Sequence, residues 1–117
     1  LGTSEAEQRH LGMVNNRVFE ALSCGAALVT VDCTPHMLSL LKDPSAITCV
    51  DLSMCNDSDS DCEHSLKHTI QDILKNSTRQ LELGNKGRAA VLKHHTYDHR
   101  VADLMPFIRD LCQGHCW

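Results

Sequence analysis

A chain of 117 residues with a formal charge of −4 leaves room for one small domain and excludes several partners. It carries no basic field for nucleic acid or an anionic membrane, and aromatics at 3% leave little surface for stacking on bases. No apolar run approaches the roughly 20 residues that span a bilayer. The opening LGTSEAEQRH lacks the basic end and apolar core of a secretory signal, and it begins without Met, as a processed or truncated piece would.

In chain order, Asn15 or Asn16 is a good N-cap for a helix running to about Ser23, with Gly25 as its stop. Val18, Phe19 and Leu22 form its apolar face. At about 100° per residue, Asn16, Arg17, Glu20 and Cys24 fall on the other side. Residues 27–31 (ALVTV) are a continuous apolar run, the mark of a strand buried on both faces. CTPHMLSLLKD predicts a short helix with Pro35 in its first turn, and AITCVDL a second buried strand. Strand, helix, strand with short joints is the pattern of a parallel βαβ unit.

Residues 53–62 read as a polar loop. A helix from Glu63 to Lys75 follows, with Leu66, Ile70, Ile73 and Leu74 at amphipathic spacing. Ser77 and Gln80 resemble a capping box for a helix through about His94. Thr96 can cap a last helix in which Val101, Leu104, Met105, Ile108 and Leu111 supply apolar contacts and Pro106 perturbs the backbone. Two strands alone cover a parallel sheet poorly, so the expected architecture is part of a larger α/β protein with further strands in a missing N-terminal portion.

Seven cysteines is a high and odd number. Cys24, Cys33 and Cys49 lie in or beside apolar runs, where a thiol behaves as a small hydrophobe. The expectation is a reducing, cytoplasmic setting with mostly buried free thiols. The sequons Asn56-Asp57-Ser58 and Asn76-Ser77-Thr78 would matter only in a secreted protein.

Several clusters fail their tests. Asp57, Asp59 and Asp61 lack the glycine and terminal Glu of a calcium loop, and their DxD pattern fits a solvated loop better than a metal site. His64 and His68 have helical i, i+4 spacing, but Cys55 and Cys62 do not form a CxxC pair, and no metal site is expected. Cys112, His115 and Cys116 read as exposed tail residues. GNKGR at 84–88 lies inside a helical pattern and is not a phosphate loop.

Two stretches carry a resemblance. GMVNNRVFEALSCGAALVTVD resembles the donor-binding segment of GT-B glycosyltransferases, especially the spore-maturation-type (CgeB-like) branch, in its N-R-x-F-E-A-x-x-x-G run before an apolar strand. GRAAVLKHHTYDHRVADLM resembles the G-R…V-L…H-T-Y-x-H-R run at the end of the same branch. The resemblance implies that residues 1–117 are the C-terminal, nucleotide-sugar-binding portion of a glycosyltransferase with a partial Rossmann-like fold, parallel strands flanked by helices and a helical C-terminus.

It further implies transfer of a sugar from a nucleotide-sugar donor to an acceptor, with no cofactor and no metal required. Catalysis would rest on electrostatic stabilisation of the departing diphosphate. Val14, Asn15 and Asn16 at the helix start and Arg17 beside them would hold the diphosphate. Glu20, one turn on, would accept both ribose hydroxyls. Many retaining enzymes of the broader group carry a second Glu eight residues earlier, where this chain has Gly12. The competing reading, from another class, is a non-catalytic α/β interaction module that has kept the fold and lost the chemistry; a third is a Cys/His metal module. His94, His95 and His99 are expected to pack the last helices together.

Overall fold

The computed structural model describes residues 11, 13–31, 33–50 and 60–113, with side chains described from Cys62 onward in the last stretch. Gly12, the acidic loop with Cys55, Asn56, Asp57 and Asp59, the Asp61 side chain, and His115 and Cys116 lie outside these residues. The described chain is mostly helical around a small parallel sheet. Its elements are α1 (Asn16–Ser23), β1 (Val29–Thr30), α2 (Pro35–Leu41), a 3₁₀ turn (Pro44–Ala46), β2 (Thr48–Cys49), α3 (Ser60–Lys75), α4 (Ser77–His94) and α5 (Tyr97–Gln113).

Local sequence explains the ends of α1. Asn15 sits in extended geometry as N-cap, and its Oδ1 accepts from the Arg17 amide at 3.0 Å. At the other end Gly25 takes φ 76°. Its N–H donates to the Leu22 carbonyl and that of Ala26 to the Ala21 carbonyl, at 2.9 and 3.1 Å. This is a Schellman stop, and the left-handed residue is the glycine that tolerates it. α2 is capped by the Thr34 hydroxyl, which accepts from the Met37 amide, and Pro35 opens it where no N–H is required.

The βαβ unit is present in shortened form. β1 and β2 pair in parallel with Val29 opposite Thr48 and Thr30 opposite Cys49. Strand alternation then splits the core in two. Leu28 and Ile47 face a cluster with Val18, Leu22, Met37, Leu41 and Val91 from α1, α2 and α4. Val29 and Val50 face the opposite side, against Ile73 of α3, with Leu66 and Leu83 packed around them. Helices therefore cover both faces of the two-stranded sheet, and Leu22 and Leu41 are completely buried.

Four expectations need correction. The thiols at Cys33 and Cys49 are not free: the two residues form a disulfide across the end of the sheet, with Cα atoms 5.8 Å apart. Cys62 is disulfide-bonded as well, while Cys24 is free but exposed. Register places Cys49 opposite Thr30, three residues before Cys33, and no reading of spacing along the chain reveals that proximity. The ground for expecting a reducing, cytoplasmic setting is thereby removed.

Second, the α4 cap is Asn76, whose Oδ1 accepts from the Arg79 amide at 2.9 Å. Gln80 instead reaches back to donate to the Ile73 and Leu74 carbonyls that end α3. Third, α3 begins three residues before the expected Glu63, and its Leu74 is exposed.

Fourth, α5 buries none of its residues: Val101, Leu104, Ile108 and Leu111 are exposed instead of packed. The helix runs on through Pro106. This projecting rod helps raise the radius of gyration to 17.6 Å, against about 13 Å for a compact chain of this size.

α4 is the central packing element, and its two glycines explain how. A Cβ on Gly84 would collide with the Gly25 carbonyl, and one on Gly87 would lie 2.5 Å from Leu22 Cδ2 and 3.3 Å from the Ala46 carbonyl. GNKGR is thus a helical stripe that lets α4 meet the end of α1 at backbone distance. The exposed face of the same helix carries Asn85, Lys86 and Arg88.

Candidate functional site

One cleft, with a volume of about 420 Å³, lies between α1 and the junction of α4 with α5. Asn16, Phe19, Glu20 and Ser23 of α1 form one wall. They recur at helical spacing, one stripe down the helix. Val91 and Leu92 form the floor, and His95, Thr96, Tyr97 and Arg100 the other wall. The volume is in the range of small-molecule sites.

Of the residues singled out from the sequence, Asn16 and Glu20 line this cleft together. Val14, Asn15 and Arg17 do not. Asn15 spends its side chain on the cap, and its carbonyl accepts from the Val18 amide at 3.0 Å. Arg17 leaves the cleft stripe because it is one residue, about 100°, round from Asn16. No ion pair joins Arg17 to Glu20 among the described residues. The Glu20 carboxylate makes no hydrogen bond or ion pair to any of them, whereas its backbone carbonyl accepts from the Ser23 hydroxyl at 2.8 Å.

The opposite wall is built around His95. Its amide donates to the Val91 carbonyl at 2.8 Å, ending α4. Its ring lies on Phe19, with centroids 5.1 Å apart, and is 8% exposed. Arg100 Nη2 is 3.1 Å from Nδ1. A guanidinium only donates, so Nδ1 accepts and the imidazole is neutral with its proton on Nε2. Burial pushes the His95 pKa down, and the charges of Arg100, His94 and Lys42 add to this, while the Leu41 carbonyl works the other way. Nε2 is buried, and its approach to the Leu41 carbonyl falls short of hydrogen-bond geometry.

The same guanidinium stands over the Phe19 ring, 5.7 Å from its centroid. Arg100 is therefore held from two sides, and it is the cleft's one cation among its lining residues, as Glu20 is its one carboxylate. Beside it the Tyr97 ring is 89% exposed, an open apolar face at the rim. Thr96 Oγ1 and His99 Nδ1 are 2.6 Å apart, tying the start of α5. Sequence reasoning missed Phe19, Tyr97 and Arg100 as site residues. A signal was present: HTYDHR lay in a recognised run, and Phe19 is three residues from Asn16 on the same stripe.

Of the second cluster weighed from the sequence, Cys55 lies outside the described residues. Among the described residues, no three His, Cys, Asp or Glu side chains converge as metal ligands. Cys62 is engaged in a disulfide, and His68 Nδ1 lies 3.2 Å from Asp72 Oδ2 on its own helix. No described helix is long and apolar enough to cross a membrane.

Comparison with known families gives one match. The sequence model of a family described as glycosyl transferase-like matches residues 1–106, nearly the whole chain. The protein belongs to this glycosyl transferase-like family. No curated protein and no solved structure matches it.

Proposed function

We propose that this chain is the donor-binding part of a GT-B-like glycosyltransferase, a partial Rossmann-like domain that holds a nucleotide-sugar while the sugar passes to an acceptor. One observation carries the reading: the unpaired carboxylate of Glu20 and the guanidinium of Arg100 face one cleft from opposite walls. A nucleotide-sugar has complementary chemistry, with vicinal hydroxyls on its ribose and two negative phosphates alongside.

In this reading Glu20 accepts from both ribose hydroxyls. Asn16, in the first turn of α1, and Arg100 hold the diphosphate, with Val14, Asn15 and Arg17 forming the approach to the helix start. When the bond between the sugar's anomeric carbon and the diphosphate oxygen breaks, negative charge grows on the departing diphosphate. A guanidinium already fixed by His95 and Phe19 meets that charge without reorganising, which is how fixed donors and cations lower such a barrier. Tyr97 supplies a stacking face for the base. The acceptor site and the general base belong to the portion expected N-terminal to this domain.

The test is titration of uridine and guanosine diphosphates into the full-length protein and its Glu20→Gln variant. Glutamine keeps the size and loses the charge, weakening a two-hydroxyl contact by about 1.5–3 kcal/mol. That is roughly a ten- to hundred-fold weaker Kd. Equal binding by a folded variant sinks the ribose role. Failure of the wild type to bind either nucleotide favours the non-catalytic interaction module instead.

A further inference from the structure

We propose that Asn76 is an N-glycosylation site and that the protein matures in an oxidising, secretory-type lumen. The sequence there is Asn76-Ser77-Thr78, a sequon with a permitted central residue and a threonine hydroxyl in third place. All three residues are exposed; Asn76 is the joint between α3 and α4, and Ser77 and Thr78 open α4.

The geometry leaves the acceptor atom available. Asn76 uses Oδ1 to cap α4, accepting from the Arg79 amide at 2.9 Å. Its Nδ2 has no partner among the described residues. Glycosylation replaces a hydrogen on Nδ2 and leaves the Oδ1 lone pairs untouched, so cap and glycan coexist on one side chain. The joint is also well ordered by its own bonds: the Asn76 amide donates to the Ile73 carbonyl, and Gln80 Nε2 to those of Ile73 and Leu74.

Position favours it too. Asn76 stands at the start of α4, whereas the cleft lies at the other end, at Val91 and Leu92. At the α-helical rise, about 22 Å separate Asn76 from Val91. A glycan there does not fill the cleft.

The compartment follows from a separate observation. Cys33 and Cys49 are joined, and Cys62 is disulfide-bonded. Such bonds persist in secreted and lumenal proteins and are rare where thiols are kept reduced. N-glycosylation takes place in that same kind of lumen. In the transfer itself, Asn76 Nδ2 bonds to the anomeric carbon of a lipid-diphosphate-linked oligosaccharide. The bond from that carbon to the diphosphate breaks, the lipid diphosphate leaves with the electron pair, and the amide proton goes to a base of the transferase. The inference is independent of what the cleft binds.

The experiment uses the full-length protein isolated from the cells that naturally make it. Mass spectrometry of the peptide containing Asn76 is run before and after peptide N-glycosidase, alongside thiol alkylation without reductant. The expected result is a glycan on that peptide, conversion of Asn76 to aspartate on release, and no alkylation of Cys33 or Cys49. Re-expressed in the same cells, Asn76→Asp keeps an equally good cap and loses the glycan. Thr78→Ala loses it with the Asn76 cap untouched, and Thr78→Ser retains it. The peptide of the other sequon, at Asn56, is resolved separately. An Asn76 peptide found unmodified in natively made protein, or alkylation of Cys33 and Cys49 there, overturns the proposal.

Discussion

Gly84→Ala sets two well-calibrated effects against each other. In the middle of an exposed helix, alanine in place of glycine is worth about 0.8–1 kcal/mol of added stability. Gly84 is buried, however, and the new methyl would occupy the position of the Gly25 carbonyl. That carbonyl cannot swing aside like a side chain. Gly25 is held at φ 76° by the α1 stop, with its own N–H and that of Ala26 bonded to the carbonyls of Leu22 and Ala21.

The relief available is for α4 to back away from α1 by on the order of 1 Å, which forfeits a quarter to a half of the dispersion at each contact opened. Leu22 and Val91 make such contacts. Overpacking of this kind costs about 1–3 kcal/mol, and a backbone collision belongs at the upper end. After the propensity gain, a net loss of about 1–2 kcal/mol remains. Urea denaturation followed by far-ultraviolet circular dichroism reads it as a lower midpoint at unchanged slope. Asn85→Ala, at the exposed neighbouring position, gains a few tenths of a kcal/mol in the same assay. If Gly84→Ala is as stable as the parent or more so, the backbone-distance packing of α4 on α1 is wrong.

Arg100→Met keeps a stem over Phe19 and loses the charge. It should weaken a nucleoside diphosphate by about 1.5–3 kcal/mol while leaving the bare nucleoside nearly unchanged, as calorimetry with both ligands will show. His95 has its pKa lowered in the fold, so below the ordinary value of 6.5 the unfolded chain binds the proton more readily. Stability is full above that pH and declines as pH falls through the lowered value; His95→Gln should flatten the urea-midpoint profile over that interval, and an unchanged slope counts against the buried neutral ring. Leu104→Ser and Leu111→Ser, on the exposed face of α5, should each shift stability by no more than about 0.5 kcal/mol. A loss of several kcal/mol would mean that α5 is packed.

What the sequence reveals depends on how far apart the cooperating residues lie. Asn15 and Gly25 could be read as the ends of α1 because a cap and a Schellman stop are closed by atoms within six residues. The start of α4 was displaced by one position because Asn76 and Ser77 both cap well, and Ser77 with Gln80 imitates a capping box. Periodicity in α5 correctly marked an apolar face but carries no information on whether anything packs against it. Glu20 was legible as a carboxylate with no business in a core. Its counterpart Arg100 was not, because only the fold of α4 across α1 brings the HTYDHR run to Phe19. The Cys33–Cys49 bond is the same kind of fact: it depends on strand register.

The two walls of the cleft come from opposite ends of the described chain, and between them stand the sheet and α4. A ligand gripping Glu20 and Arg100 at once therefore acts as a clasp, closing the first helix onto the last. Thermodynamic linkage gives the size of that effect: at a hundred times its Kd, a ligand bound only by the folded form adds about 2.7 kcal/mol to the unfolding free energy. For a small domain that is a large share of the total. Supply of such a ligand would then govern how long this domain survives proteolysis.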